Sequence, residues 1–422
     1  MYIIYPDAYI CSMGERNNRR IVVAPDKFKG SMTASTVAEA VRDGLLEGAA
    51  QSAGTAPEIL LRPMADGGEG SMGVMERILR DKKSDYSKVF LDSVNHLGSQ
   101  SLVPVLMYTG KEGTPAAFIE MASVCGLNMI PREKRNLLRS STYGLGIVIR
   151  SVIEEYGVRK ILLAIGGSGT NDGGFGMLTA LGWSFTNSNP FRNKDIPTFI
   201  SGIESVSDRS VPDICPHLRD TVIEVATDVT SPLLGASGAT AVYGPQKGCR
   251  RQDMPVFEKA MENWVNVIGA PDFPGAGAAG GTGYALKAVL GATLKPGWKL
   301  LADMSGLEDD IASASLVITG EGRFDASSLT GKLPAGMATL CRRYGKPLWV
   351  VTGLCRVPAE QLPMLGITRV IELSSSAASG EDPFADAPAI IRHTVAESYL
   401  LDPVTVEMRS RVEDETEQGN EA

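Results

Sequence analysis

Short apolar runs recur along the chain, and segments with helical spacing of apolar positions separate them. Residues 21–24, 59–61, 316–319, 348–352 and 370–373 predict strands, while helical periodicity runs to about 47, over about 330–344 and over about 386–400. Ser31 or Thr33 is the expected cap of the first helix. Strand and helix in alternation predict an α/β chain with a doubly wound parallel sheet, helices on both faces. In the middle, 118–121, 161–165 and 222–226 are further strands, joined by longer linkers rich in Gly, Ser and Asn. The stretch 274–283, PGAGAAGGTG, is the expected crossing back or hinge, because small residues permit close backbone passage. A doubly wound domain interrupted by a second α/β domain follows as an expectation that periodicity alone leaves open.

Composition narrows the class. A chain of 422 residues that is 43% hydrophobic can bury a large core in two or more domains. Its 46 glycines, about 11% against a usual level of about 7%, sit in a few loops and so point to loop chemistry and not to disorder. A formal charge of −8 without a long basic run excludes an electrostatic nucleic-acid footprint. Six cysteines without a Cys-x-x-Cys pair, beside only three histidines, argue against zinc or haem and for a reducing cytoplasm. The first twenty residues lack a basic segment ahead of an apolar core, and no apolar stretch reaches membrane-span length. That beginning and the acidic tail 412–422 are expected to be flexible.

The candidate chemistry lies behind the strands. Residues 165–177 read IGGSGTNDGGFGM, where glycines frame Gly167, Ser168, Thr170, Asn171 and Asp172. Glycine lets the backbone approach a ligand closely, exposed N–H groups suit an anion, and the Asn171–Asp172 pair suits a hydrated magnesium ion or a hydroxyl. Asp26, Lys27, Lys29 and Ser31 follow the first strand, where open α/β sheets bind ligands. Asp66 and Glu69 follow the second; Asp228 follows 222–226; Gln246 and Lys247 occupy a tight GPQKG turn. Glu321, Arg323 and Asp325 follow the strand ending at Thr319, with Lys332 beyond. Blander readings stand beside these. Asp66 serves equally well as a helix cap, Arg323 as the partner of Glu321 or Asp325, and Lys27 and Lys346 as solvated charges. His96, His217 and His393 receive no role. No P-loop or protein-kinase signature occurs, and the Gly-x-Gly-x-x-Gly at 275–280 follows Pro271, Phe273 and Pro274 where a dinucleotide fingerprint needs a strand.

Taken together, PDKFKGS, MADGGEGS, FIEMAS, IGGSGTNDGGFGM, ATDVTSPLLG, GPQKG, PGAGAAGGTG and VITGEGRFDASSLTGK resemble, in order, the blocks of the bacterial glycerate kinase family. This is the class that includes the enzyme of glucarate and galactarate breakdown, and the resemblance runs from about residue 21 to about 393. It implies a Rossmann-like domain, 19–66 with 290–402, interrupted by an inserted α/β domain, 67–289, with the active site in the interdomain cleft and flexible ends at 1–18 and 403–422. It also implies a cytoplasmic enzyme that phosphorylates D-glycerate with ATP and magnesium, acting on no nucleic acid or membrane and allowing a homodimer. The family favours 2-phosphoglycerate, with 3-phosphoglycerate as the alternative.

In that chemistry Lys29 and Lys247 neutralise the transferring phosphate or the carboxylate, and Asp172 or Asp228 orients or deprotonates the hydroxyl. Asp66, Glu69 and Glu321 are the magnesium candidates, and Arg323 grips the carboxylate as a fork. Asp26, Ser31, Gly167, Ser168, Thr170, Asn171, Gln246 and Lys332 complete the expected substrate and phosphate contacts. Asp172→Asn is expected to keep the fold and cut turnover. Two departures stand out: Gly169 where the family commonly has alanine, and Ser231 where it has asparagine. Rival readings are an NAD-dependent dehydrogenase using the 275–280 loop and a metabolite-binding protein without catalysis.

Overall fold

The computed structural model describes residues 19–52, 56–185, 209–210, 214–378 and 381–402, so the expectations for both chain ends lie outside the described residues. The chain divides into two compact units: residues up to Ala65 with those from Leu301 onward, and Asp66–Leu300.

The first unit holds a five-stranded parallel sheet in the order Ile367–Glu372, Leu348–Cys355, Leu316–Phe324, Arg20–Pro25, Glu58–Leu61. Its central strands are buried on both faces, so they read as unbroken apolar runs. Helix Ala34–Gln51 begins at Thr33, whose hydroxyl accepts the Thr36 N–H at 3.1 Å; this decides between the two expected caps. It packs on helix Ala387–Leu400 so closely that a Cβ at Gly44 would lie 2.4 Å from the Arg392 carbonyl oxygen. From Arg20–Pro25 the chain winds one way to Glu58–Leu61, and from the adjacent Leu316–Phe324 it winds the other way to Ile367–Glu372. The carboxyl ends of those two neighbours form the topological switch point, where open α/β sheets take ligands.

Strand Leu316–Phe324 runs beyond the expected end at Thr319, since pairing with Leu348–Cys355 continues to Phe324↔Cys355. Glu321 and Arg323 therefore sit on the strand itself. Glycine is required along this stretch: a Cβ at Gly320 would fall 2.5 Å from the Val351 oxygen.

The second unit holds a mixed six-stranded sheet in the order Thr293–Lys295, Val222–Ala226, Lys160–Ala164, Pro115–Glu120, Gln100–Thr109, Tyr86–Val94. The first four are parallel, and Gln100–Thr109 runs antiparallel to both of its neighbours. The hairpin Tyr86–Val94/Gln100–Thr109 has no counterpart in the predicted elements; its turn is closed by Asn95, whose side-chain oxygen accepts from Leu97 and Ser99 N–H groups.

Residues 274–283 are not the crossing back. They belong to the second unit, and the change of unit falls at Leu300/Leu301, inside helix Gly297–Ser305. The small residues serve packing: a Cβ at Gly277 would lie 2.2 Å from the Pro232 oxygen, and one at Gly280 2.1 Å from the Thr170 oxygen. Among the described residues no helix is long and apolar enough to cross a membrane.

Gly280 and Gly345 both have left-handed backbone, φ 66° and 61°, but only Gly280 has neighbours where a Cβ would go. Gly345→Ala should cost about 1 kcal/mol, the backbone strain alone. Gly280→Ala should cost about 3 kcal/mol or more, because it also displaces the Thr170 backbone. Chemical denaturation of both variants checks this; equal losses would show that the 274–283 packing is loose.

Candidate active site

The second unit presents residues 165–177 as a strand-end loop wound around a buried carboxylate. Asp172 is fully buried. One oxygen accepts the Thr142 N–H and hydroxyl, both at 2.7 Å, and the Gly176 N–H at 3.2 Å; the other accepts the Gly174 N–H at 3.1 Å. Desolvation pushes this carboxyl up, and those four donors pull it back. Gly173 and Gly174, φ 63° and 79°, turn the backbone so that it can supply donors to its own aspartate. Beneath the turn lies Trp264, fully buried, donating its indole N–H to the Gly173 oxygen at 3.0 Å. A Cβ at Gly173 would stand 2.8 Å from that ring.

The preceding side chains face an enclosed polar cluster. Lys247, held in the turn Pro245–Lys247, is buried and donates to the Ser168 hydroxyl at 2.9 Å and the Thr170 carbonyl at 2.8 Å. Burial lowers its pKa to about 7, opposed by the charge of Asp172. Asn171 donates its amide to the Thr240 hydroxyl at 3.0 Å, but its side-chain oxygen is buried without a partner. So is the Thr170 hydroxyl.

His96, at the hairpin turn, joins them. It is 3% exposed, its Nδ1 is unpartnered, and burial, then Lys247, then Arg135 lower its pKa to about 4, so the ring is neutral. A Cβ at Gly169 would lie 3.1 Å from His96 Nε2, so a side chain there would crowd this ring. Sequence reasoning passed over His96. Its only local signal is its place beside Asn95 in a turn, and the contact with residue 169 is set by the sheet.

In the first unit the expected residues collect at the switch point. The Asp26 N–H donates to the Gly320 oxygen at 2.8 Å, and the Asp26 carboxylate accepts the Lys27 N–H at 2.7 Å. A Cβ at Gly322 would lie 3.3 Å from the Lys29 nitrogen, so the 26–32 turn lies against the end of the neighbouring strand. Lys29 and Ser31 are exposed, and the Ser31 hydroxyl donates to the Phe384 oxygen at 3.0 Å. Glu321 has one buried, unpartnered oxygen, and burial raises it to about 7 against the pull of Ser328 and Lys332. Arg323, mostly exposed, pairs with Asp325 at 3.1 Å, the blander of its two readings. Lys332 donates to the Ser327 hydroxyl at 3.0 Å.

Other expected residues are engaged by the protein itself. Asp66 accepts the Gly68 N–H at 2.9 Å, Glu69 accepts from the Asn128 amide at 2.7 Å, and Asp228, half-buried, accepts the first N–H of helix Gly297–Ser305 at 2.8 Å. The Gln246 side chain is exposed and its carbonyl accepts from Arg135 at 3.0 Å. Among the described residues no three His, Cys, Asp or Glu side chains gather to hold a metal ion. A resident, fully protein-ligated ion does not fit that donor set; a magnesium ion arriving with nucleotide phosphates needs only one or two carboxylates.

Two α/β units with lysines and carboxylates at their strand ends define an enzyme that handles small anionic ligands. The chain belongs to the glycerate kinase family, whose family model matches residues 21–400. It is 35% identical to glycerate 2-kinase of Escherichia coli K12 over 376 residues, 87% of this chain and 94% of that one. It is 36% identical to glycerate kinase of Haemophilus influenzae, covering 80% and 86%. A crystal structure provisionally described as glycerate kinase 2 from Salmonella typhimurium LT2 superposes with a TM-score of 0.73 at 32% identity, covering 94% of this chain and all of that one.

The geometry revises the expectation for Asp172→Asn. An amide would turn its NH2 toward N–H and O–H donors, so this variant should lose about 2–4 kcal/mol of stability as well as activity. Thermal melts check it; an unchanged midpoint with lost turnover would return Asp172 to a chemical role.

Proposed function

We propose that the protein is an ATP-dependent glycerate kinase that forms 2-phosphoglycerate. The observation that carries this reading is the match to glycerate 2-kinase over 94% of that enzyme's length, with the family's blocks in order. In the first unit we assign the positive charge such a transfer requires to Lys29 and Lys332. The switch point of the first unit, with Asp26, Lys29, Ser31 and Glu321 around it, is the proposed phosphate-handling surface. Of the two aspartates considered for the hydroxyl, Asp228 is the one solvent reaches, so we assign it the proton, while Asp172 holds the loop.

Magnesium bound with the nucleotide would neutralise phosphate charge, and Asp66 and Glu69, in the turn that follows strand Glu58–Leu61, are the side chains we assign to it. A cytoplasmic setting is supported by the five described cysteines, all free thiols. The dehydrogenase reading loses its footing, because residues 275–280 follow helix Met254–Ile268 and a coil and no strand leads into them.

With D-glycerate, ATP and magnesium, coupled detection of ADP should show turnover that chelation abolishes, and phosphorus NMR should show 2-phosphoglycerate. Asp228→Asn should lower kcat by about 100-fold or more. Absence of ADP release from wild type would defeat the kinase assignment, and a 3-phosphoglycerate signal would defeat the regiochemistry alone.

A further inference from the structure

We infer that the enclosed cluster of His96, Ser168, Thr170, Asn171 and Lys247 in the second unit is the subsite for the acid substrate, taking a small hydroxycarboxylate as a monoanion. This rests on the kinase reading and deepens it, since it assigns the acid to one unit and gives His96 a part in holding it.

The unmatched hydrogen-bonding capacity at the cluster has a definite composition. Lys247 has three N–H donors, and its two protein contacts use two. The Thr170 hydroxyl is a donor, the Asn171 side-chain oxygen an acceptor, and His96 Nδ1 either, according to tautomer; all three atoms are buried and unpartnered. Buried polar groups left so are costly, and several together mark a place where a ligand or ordered water completes them. Donors beside a single buried ammonium suit a carboxylate. The lone amide oxygen suits a hydroxyl next to it.

A phosphate fits less well. It brings close to two negative charges and no donor for Asn171, whereas one buried cation faces it. Arg135 adds positive field, but its guanidinium donates to the Ile130 and Gln246 carbonyls. Exposed Gly167 and Gln246 flank the buried Ser168 and Lys247 in sequence.

Thr170→Val tests this with minimal change of shape, since the hydroxyl it deletes has no protein partner. If the hydroxyl meets substrate, the KM for D-glycerate should rise about tenfold while the KM for ATP and the melting temperature hold or the latter rises. His96→Asn should raise the glycerate KM in the same selective way. A glycerate KM within twofold of wild type in both variants, with wild type turning over glycerate, would overturn the subsite and leave the kinase reading intact. Should wild type show no turnover, that reading fails by itself. The subsite is then judged by calorimetry with D-glycerate and D-lactate: binding weakened about tenfold by Thr170→Val supports it, and equal binding or none in wild type overturns it.

Discussion

A carboxylate with no access to solvent organises the second unit. Asp172 gathers two backbone N–H groups from its own loop and two donors from Thr142, and this closes residues 165–177 into a fixed turn at the end of a central strand. Burying the charge is costly, and only that many donors make it tolerable. Glycines on either side keep the turn free of side-chain volume, so Trp264 can support it from below and residues 280–282 can lie against it. Held in this way, Ser168, Thr170 and Asn171 have fixed positions around Lys247, the preorganisation that binding a small polar substrate demands.

The first unit reaches the same end by topology. Its parallel strands diverge in winding direction between Arg20–Pro25 and Leu316–Phe324, which leaves strand ends there for ligand binding. Glycine again sets the approach, at Gly320 and Gly322, while Glu321 keeps an unpartnered oxygen. Lysines stand nearby on exposed turns. Both units thus place charge at strand ends, one on the surface and the other enclosed.

Much of this was legible in the chain. The apolar runs of the parallel strands stand out because both faces are buried, and the glycine-rich loops stand out because few other roles need such composition. The hairpin Tyr86–Val94/Gln100–Thr109 was illegible because its strands are half-exposed and mixed in polarity. The length of Leu316–Phe324 was hidden by its glycines, which locally read as a loop and which the partner strand in fact requires. Asp172 stood out in the sequence, but its four donors did not: local chemistry cannot distinguish a carboxylate that meets a ligand from one that clasps its own loop. His96 gave no signal, since its significance lies in contact with Gly169, far along the chain.

Family membership defines the chemistry, and the proposed subsite assigns the acid to the second unit. The most direct test is a crystal structure with D-glycerate bound. The account predicts the carboxylate within hydrogen-bonding distance of Lys247 Nζ and the Thr170 hydroxyl, with a substrate hydroxyl at the Asn171 side-chain oxygen. Glycerate bound elsewhere, with Lys247 still donating only to Ser168 and Thr170, would contradict it.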